Sequence, residues 1–122
     1  MTEKLYGQFN FDRSALAPRD DWVRLGPLAI TATTSGAAQT LFTVDDDTQV
    51  NLGSFTFLNT TGGALTINVM IDSTVIMSNS IAANTTTAYD FDSLAVYSAE
   101  VVKAYASGAG ITVTAAALRE TI

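Results

Sequence analysis

The sequence contains no cysteine and no histidine, and only 15% of its 122 residues are charged. Without cysteine there is no disulfide framework, so stability must come from burial, hydrogen bonding or assembly. Without histidine or cysteine there is no Ser-His or Cys-His nucleophile. Zinc and most transition metals lose their usual ligands for the same reason. Gly62-Gly63 and Gly108-Ala109-Gly110 read as hairpin glycines and not phosphate cradles, because no helix follows either of them. The carboxylates lie beside turns, with no substrate-holding motif around them. These absences argue against an enzyme and call for no cofactor.

Basic residues are scarce as well. Six Lys and Arg face twelve Asp and Glu, a net charge of −6. Residues 1–24 hold Lys4, Arg13, Arg19 and Arg24 against Glu3, Asp12, Asp20 and Asp21 and sum to zero. Residues 25–122 set Lys103 and Arg119 against eight acids, so this part carries the whole excess. An acidic body with no basic patch argues against nucleic acid, where Lys and Arg contacts to phosphate supply most of the affinity. It argues equally against an anionic membrane surface. No stretch approaches the ~18 consecutive apolar residues of a membrane span. The start, Met1 to Gly7, lacks the basic and apolar regions of a secretory signal. The expectation is a soluble chain made in the cytoplasm.

What the sequence does contain is alternation. Leu65, Ile67, Val69 and Ile71 interleave with Thr66, Asn68 and Met70, the period of a strand with one buried face. Between Thr48 and Ser98 only Asp72, Asp90 and Asp92 are charged, so the outward positions are Thr, Ser, Asn and Ala. Strands are expected at Leu28–Thr34, Thr40–Val44, Val50–Asn59, Ala64–Ile71, Val75–Ser78, Thr85–Phe91, Leu94–Tyr97, Val101–Ser107 and Ile111–Leu118. Thr60-Thr61-Gly62-Gly63 supplies a tight turn. Frequent short strands without βαβ units predict an all-β fold, an antiparallel β-sandwich of about eight strands, jelly-roll-like. Its core is expected on Phe55, Phe57, Leu65, Ile67, Val69, Ile71, Ile81, Phe91 and Val113. Val102, Ala104 and Ala106 share a face, as do Ile111, Val113, Ala115 and Ala117. Alanines there imply close sheet-to-sheet approach or a flat surface against another subunit.

Residues 1–27 differ from the 28–122 sandwich and read as an irregular N-terminal arm. Four of the eleven aromatics, Tyr6, Phe9, Phe11 and Trp22, lie here with both prolines, Pro18 and Pro27. Arg13–Ala17 could form a helical turn that Pro18 would end. One reading lays the aromatics on the sandwich. The other makes Tyr6, Phe9, Phe11 and Trp22 partner anchors beside Arg13, Arg19 and Arg24, since these residue types are enriched at interface hot spots. Asp45-Asp46-Asp47 is the sharpest acidic feature. Its oxygens suit Ca²⁺, but the spacing is not that of an EF-hand, and a solvated loop is the expected reading.

Three blocks in order carry a resemblance. The first runs from Phe55 through Asn59-Thr60-Thr61-Gly62-Gly63 into the alternating strand ending at Ile71. The second is the Thr/Ala-rich stretch Ala88–Tyr97. The third is the closing hairpin Val102–Thr114, with Glu120 shortly after it. Over residues 50–122 the sequence resembles the small β-sandwich virion proteins of tailed bacteriophages, the decoration (cement) proteins and related head or tail parts. It departs at the end, where Ala117-Leu118-Arg119-Glu120 replaces a Gly-x-Glu-like tail.

The resemblance implies a structural role in a virion. The first functional expectation is a capsid decoration protein on the surface of the assembled head, with the major capsid protein as partner. A closed homo-oligomer is expected, a trimer suiting local three-fold positions. The alternative is a tail, baseplate or head-fibre component. A carbohydrate-binding sandwich is a third class, with Trp22, Tyr89, Tyr97 and Tyr105 as stacking platforms.

Overall fold

The computed structural model describes residues 4–6, 9–11 and 21–121, and the side chains of residues 22–120. Two short strands, β1 (Lys4–Tyr6) and β2 (Phe9–Phe11), form an antiparallel pair by themselves. Eight strands follow: β3 (Asp21–Ile30), β4 (Gln39–Thr43), β5 (Thr48–Asn59), β6 (Leu65–Ile71), β7 (Thr74–Ile81), β8 (Thr85–Val96), β9 (Val101–Ala106) and β10 (Ile111–Thr121). One 3-10 turn, Ser35–Ala37, lies between β3 and β4, its start capped by the Thr34 hydroxyl accepting from the Ala37 N–H at 3.3 Å.

The eight long strands pair first with last: β3 with β10, β4 with β9, β5 with β8, and β6 with β7, all antiparallel. This is one long ribbon doubled back at Asp72-Ser73. Rolling it up brings β10 beside β5 and β9 beside β6. Two four-stranded sheets result, in the orders β3-β10-β5-β8 and β4-β9-β6-β7. The fold is therefore an antiparallel β-sandwich of the jelly-roll kind.

Alternation sets the core. In β9 Val102, Ala104 and Ala106 are buried while Val101, Lys103 and Tyr105 face out. In β10 Ile111, Val113, Ala115 and Ala117 are buried and join Phe42, Phe55, Phe57, Ile67, Val69 and Ile81 in a single cluster. The alanines of the two inner strands leave room that the phenylalanines fill. Phe55 meets Phe91 edge-on with ring centres 4.9 Å apart, and Phe57 lies 6.1 Å away. Leu65 and Ile71, also expected in the core, are half-buried against it.

Two strand assignments differ from the sequence-based expectation. β3 runs Asp21–Ile30 and not Leu28–Thr34, so it starts inside the segment read as an arm and takes Trp22 and Arg24 with it. Gly26-Pro27 reads as a break. In the structure it sits at a bulge, with Gly26 at φ 94° and the register against β10 slipping between Val113 and Ala115. On an edge strand the missing proline N–H removes no ladder bond. Second, Thr85–Phe91 and Leu94–Tyr97 are one strand, β8. Asp92 and Ser93 adopt positive φ (54° and 62°) at a bulge opposite Leu52–Ser54, which interrupts the alternation without ending the pairing. Arg13–Ala17 lies outside the described residues.

Asn59 is fully buried and ties the turn after β5 together. Its amide donates to the carbonyls of Gly63 (2.9 Å) and Ile81 (3.0 Å). Its side-chain oxygen accepts from the N–H and hydroxyl of Thr61 (2.9 and 2.7 Å). Asn59→Ala is expected to cost about 2 kcal/mol, because it strands the buried Ile81 carbonyl and the half-buried Thr61 N–H. A thermal melt should show the loss, and an unchanged melting temperature would mean that water replaces all four bonds.

Candidate functional site

The strand connections place charge at one end of the sandwich only. The loops at 31–38, 60–64, 82–84 and 107–110 share one end and contain no charged residue. Backbone bonds knit them: Thr60 N–H to Gly110 (3.1 Å), Asn84 N–H to Thr61 (3.1 Å), and Ala106 N–H to Ala32 (3.0 Å). The opposite end gathers Asp45–Asp47, the Asp72-Ser73 turn and the loop at 97–100. There Val44 N–H donates to the Glu100 carbonyl (2.9 Å) and Ala99 N–H to that of Val44 (2.9 Å). Asp72 and Val101 exchange backbone and side-chain bonds, with Val101 N–H donating to Asp72 Oδ1 at 3.0 Å. Glu120, level with Gln49 near the start of β5, joins the same end. Asp45, Asp46, Asp47, Asp72, Glu100 and Glu120 thus converge, while Asp90 and Asp92 lie on edge strand β8. Asp47 and Asp72 take positive φ (60° and 53°), a conformation Asp tolerates better than most residues.

The outer faces of both sheets are nearly neutral. On the first sheet Thr112, Thr114, Ala116 and Leu118 of β10 point away from the core, beside Asn51, Ser54, Thr56 and Leu58 of β5. On the second, Lys103 and Tyr105 lie beside Met70 and Asn68. Exposed sheet edges normally carry Lys, Pro or bulges that discourage pairing. The β1–β2 hairpin packs beside β3 and β4, leaving the opposite edges, β7 and β8, without it. β7 carries no charge at all.

Trp22 is the most exposed large apolar side chain described, at 59%. It starts on the outermost strand, β3, level with Leu118 of β10, yet its ring reaches over β10 to β5. A Cβ placed on Gly53 would lie 3.0 Å from Cζ3 of the indole and 2.8 Å from the Ala116 carbonyl. Glycine at 53 therefore lets the indole lie across the sheet, one side on the protein and the other open to solvent. Next to it, Gln49 donates to Asn51 (2.9 Å), and Asn51 donates to Glu120.

Of the residues proposed from sequence as partner anchors, Trp22 and Arg24 share this outward face, both exposed, because they alternate with inward Val23 and Leu25. Tyr6, Phe9 and Phe11 lie on β1 and β2, with their side chains outside the described residues, as are Arg13 and Arg19 entirely. Gly53, Ala116 and Asp90 had no sequence signal as parts of a surface. The Trp22/Val23/Arg24/Leu25 alternation was readable but ended at Gly26-Pro27. The aromatics proposed to stack sugars do not meet on one face. Tyr89 turns inward against Phe91 (4.8 Å), Tyr97 sits at the acidic end, and Tyr105 is on the second sheet. Among the described residues no group of three or more carboxylates is placed to hold a metal ion, Asp45–Asp47 included.

Neither a protein-family model nor a curated protein matches the sequence. Solved structures align with this chain over most of its length. A chain from Bacillus endospore appendages, a family of disulfide-linked pili, aligns at TM-score 0.54 and 15% identity over 92% of this chain and 99% of that one. The Tobacco streak virus coat protein, solved as a dimer, aligns at TM-score 0.44 and 11% identity over 89% and 91%. A chain of the T13 IBDV viral particle aligns at TM-score 0.39 and 14% identity, covering 85% of this chain and 31% of that one. At 15% identity the likeness to the appendage chain is one of fold alone.

Proposed function

We propose that this chain is a structural subunit of a virion, and that it decorates the assembled head shell as a cement protein. The observation that carries the reading is the polarity of the sandwich. One end is built of Thr, Ser, Asn, Ala and Gly and both outer faces are nearly neutral, while Asp45, Asp46, Asp47, Asp72, Glu100 and Glu120 lie at the other end. Neutral surfaces cost less to desolvate than charged ones, and so suit permanent contact with neighbours. The acidic end suits contact with water. In this reading Tyr6, Phe9, Phe11, Arg13 and Arg19 attach the protein to the major capsid protein, and the sandwich carries the contacts between copies.

The alternative, a tail, baseplate or head-fibre part, is favoured by the likeness to a pilus-forming chain and by the uncharged edge strand β7. A fibre stapled by disulfides would not be open to this sequence, which has no cysteine. Bare heads should assemble without the protein but lose resistance to heat and osmotic shock, because a ligand of the assembled state alone stabilises that state. Adding purified protein should restore the resistance. Bare heads as robust as decorated ones would remove the cement reading in favour of the fibre or tail part.

A further inference from the structure

We propose that the outer face of the β3-β10-β5-β8 sheet is a self-association surface, on which two copies pack face to face about a twofold axis parallel to the strands. This goes beyond shell attachment and does not depend on it. The argument starts from two charges. Arg24 on β3 faces Ala116 on β10, and Ala116 lies opposite the Gly53-Ser54 bulge of β5. Ser54 in turn faces Asp90 on β8. Arg24 and Asp90 therefore occupy one transverse row at opposite margins of the same face, about 14 Å apart at ~4.8 Å per strand. Both are exposed, and neither is matched by an opposite charge among the described residues.

A twofold running between β10 and β5 lays β3 of each copy over β8 of the other. Arg24 of each copy then meets Asp90 of its mate, giving two reciprocal pairs from a single complementarity. Because each Trp22 ring reaches over β10 to Gly53, beside this axis, the same rotation brings the open sides of the two indoles against each other. Thr114 of each copy meets Thr56 of its mate near the axis, with no charge to bury in that row. Four strands of about ten residues present roughly 600 Å² per copy, close to the ~800 Å² per partner of a standard interface. About a threefold axis the face would meet a different surface, and the reciprocity would be lost.

The arrangement also sets both acidic ends side by side at one pole, a repulsion limited by screening over ~8 Å at physiological ionic strength. Both neutral ends then point the same way.

Light scattering with sedimentation velocity on the purified full chain tests this without any shell. The expected mass is twice the 12.9 kDa of one chain at micromolar concentration. Arg24→Asp and Asp90→Arg should each weaken the dimer at least about tenfold, because each sets like charges together twice. The double variant Arg24→Asp/Asp90→Arg should return to within about threefold of the parent, since the pairs re-form with signs exchanged. Trp22→Ala should weaken the dimer about thirtyfold or more, as an aromatic anchor does. Because Asp90 also accepts the Asp92 N–H at 2.8 Å, its replacement could disturb the bulge. Thr114→Arg provides the independent variant, expected to be a folded monomer by circular dichroism and mass. A monomer or trimer of the parent, absence of rescue in a folded double variant, or a dimer indifferent to both Trp22→Ala and Thr114→Arg would overturn the proposal. Loss of shell binding with an intact dimer would instead bear only on the cement reading.

Discussion

Phe55→Ala is expected to lower the unfolding free energy by about 3–5 kcal/mol, the range for removing a fully buried phenylalanine. Phe55 has no exposed surface and sits at the middle of β5, the strand that joins β10 to β8. Its lateral partners are Ala115 on one side and Tyr89 on the other. Diagonally on β8, two residues beyond Tyr89, Phe91 meets its ring edge-on at 72°. Ala115 cannot grow into the space left behind, and Phe91 loses its ring contact, so the cavity closes only in part. For a domain of this size each kcal/mol moves the melting temperature by ~4–8 °C, so a fall of roughly 12–40 °C should appear in a circular dichroism melt. A fall under about 5 °C would mean that the core collapses around the gap and that Phe55 is not its keystone.

Removing residues 1–20 is expected to abolish shell binding while leaving the sandwich folded. The cut falls just before β3, so all six strand pairings of the two large sheets survive. The β1–β2 pair forms its own two-stranded sheet beside β3 and β4 and adds no rung to either large sheet. A deletion reaching residue 24 would be a poorer test, since it would remove Trp22 and Arg24 and shorten β3 itself. Truncated protein should keep its β-type circular dichroism spectrum and its mass in solution. On bare heads its apparent affinity should fall at least about a hundredfold, the loss of two or more anchoring side chains. Unchanged decoration by the truncated chain would sink the arm assignment. Shell contacts would then be sought on the neutral loops at 31–38, 60–64, 82–84 and 107–110. Aggregation of the truncated chain would show the hairpin to be a cover for the β3 and β4 edges rather than an anchor.

The pattern of inward and outward side chains was legible residue by residue. Phe55 and Phe57, Ile67 and Val69, Ala104 and Ala106, and Ala115 and Ala117 all point inward as the two-residue period requires, because the pleat of a strand is a local property. The turns at Gly62-Gly63 and Gly108-Ala109-Gly110 were legible for the same reason. β3 was misplaced because Gly26-Pro27 is a strong local stop signal, whose cost disappears only on an edge strand. Whether a strand is an edge is a fact about its neighbours. β8 was divided because a bulge and a chain break look alike in one dimension.

By itself, then, the sequence determined that this is an all-β sandwich with a phenylalanine-and-alanine core, neutral strand faces and an acidic excess. Tertiary structure alone decided where that excess goes and what the neutral faces offer. Asp45–Asp47, Asp72, Glu100 and Glu120 share one end because the ribbon doubles back at Asp72-Ser73 and then rolls, which brings alternate connections to the same end. Trp22 rests against Gly53, and Arg24 shares a row with Asp90, because β10 and β5 lie between β3 and β8. Strand order is fixed by which rolled arrangement buries the whole core at once, and no local window of residues carries that information.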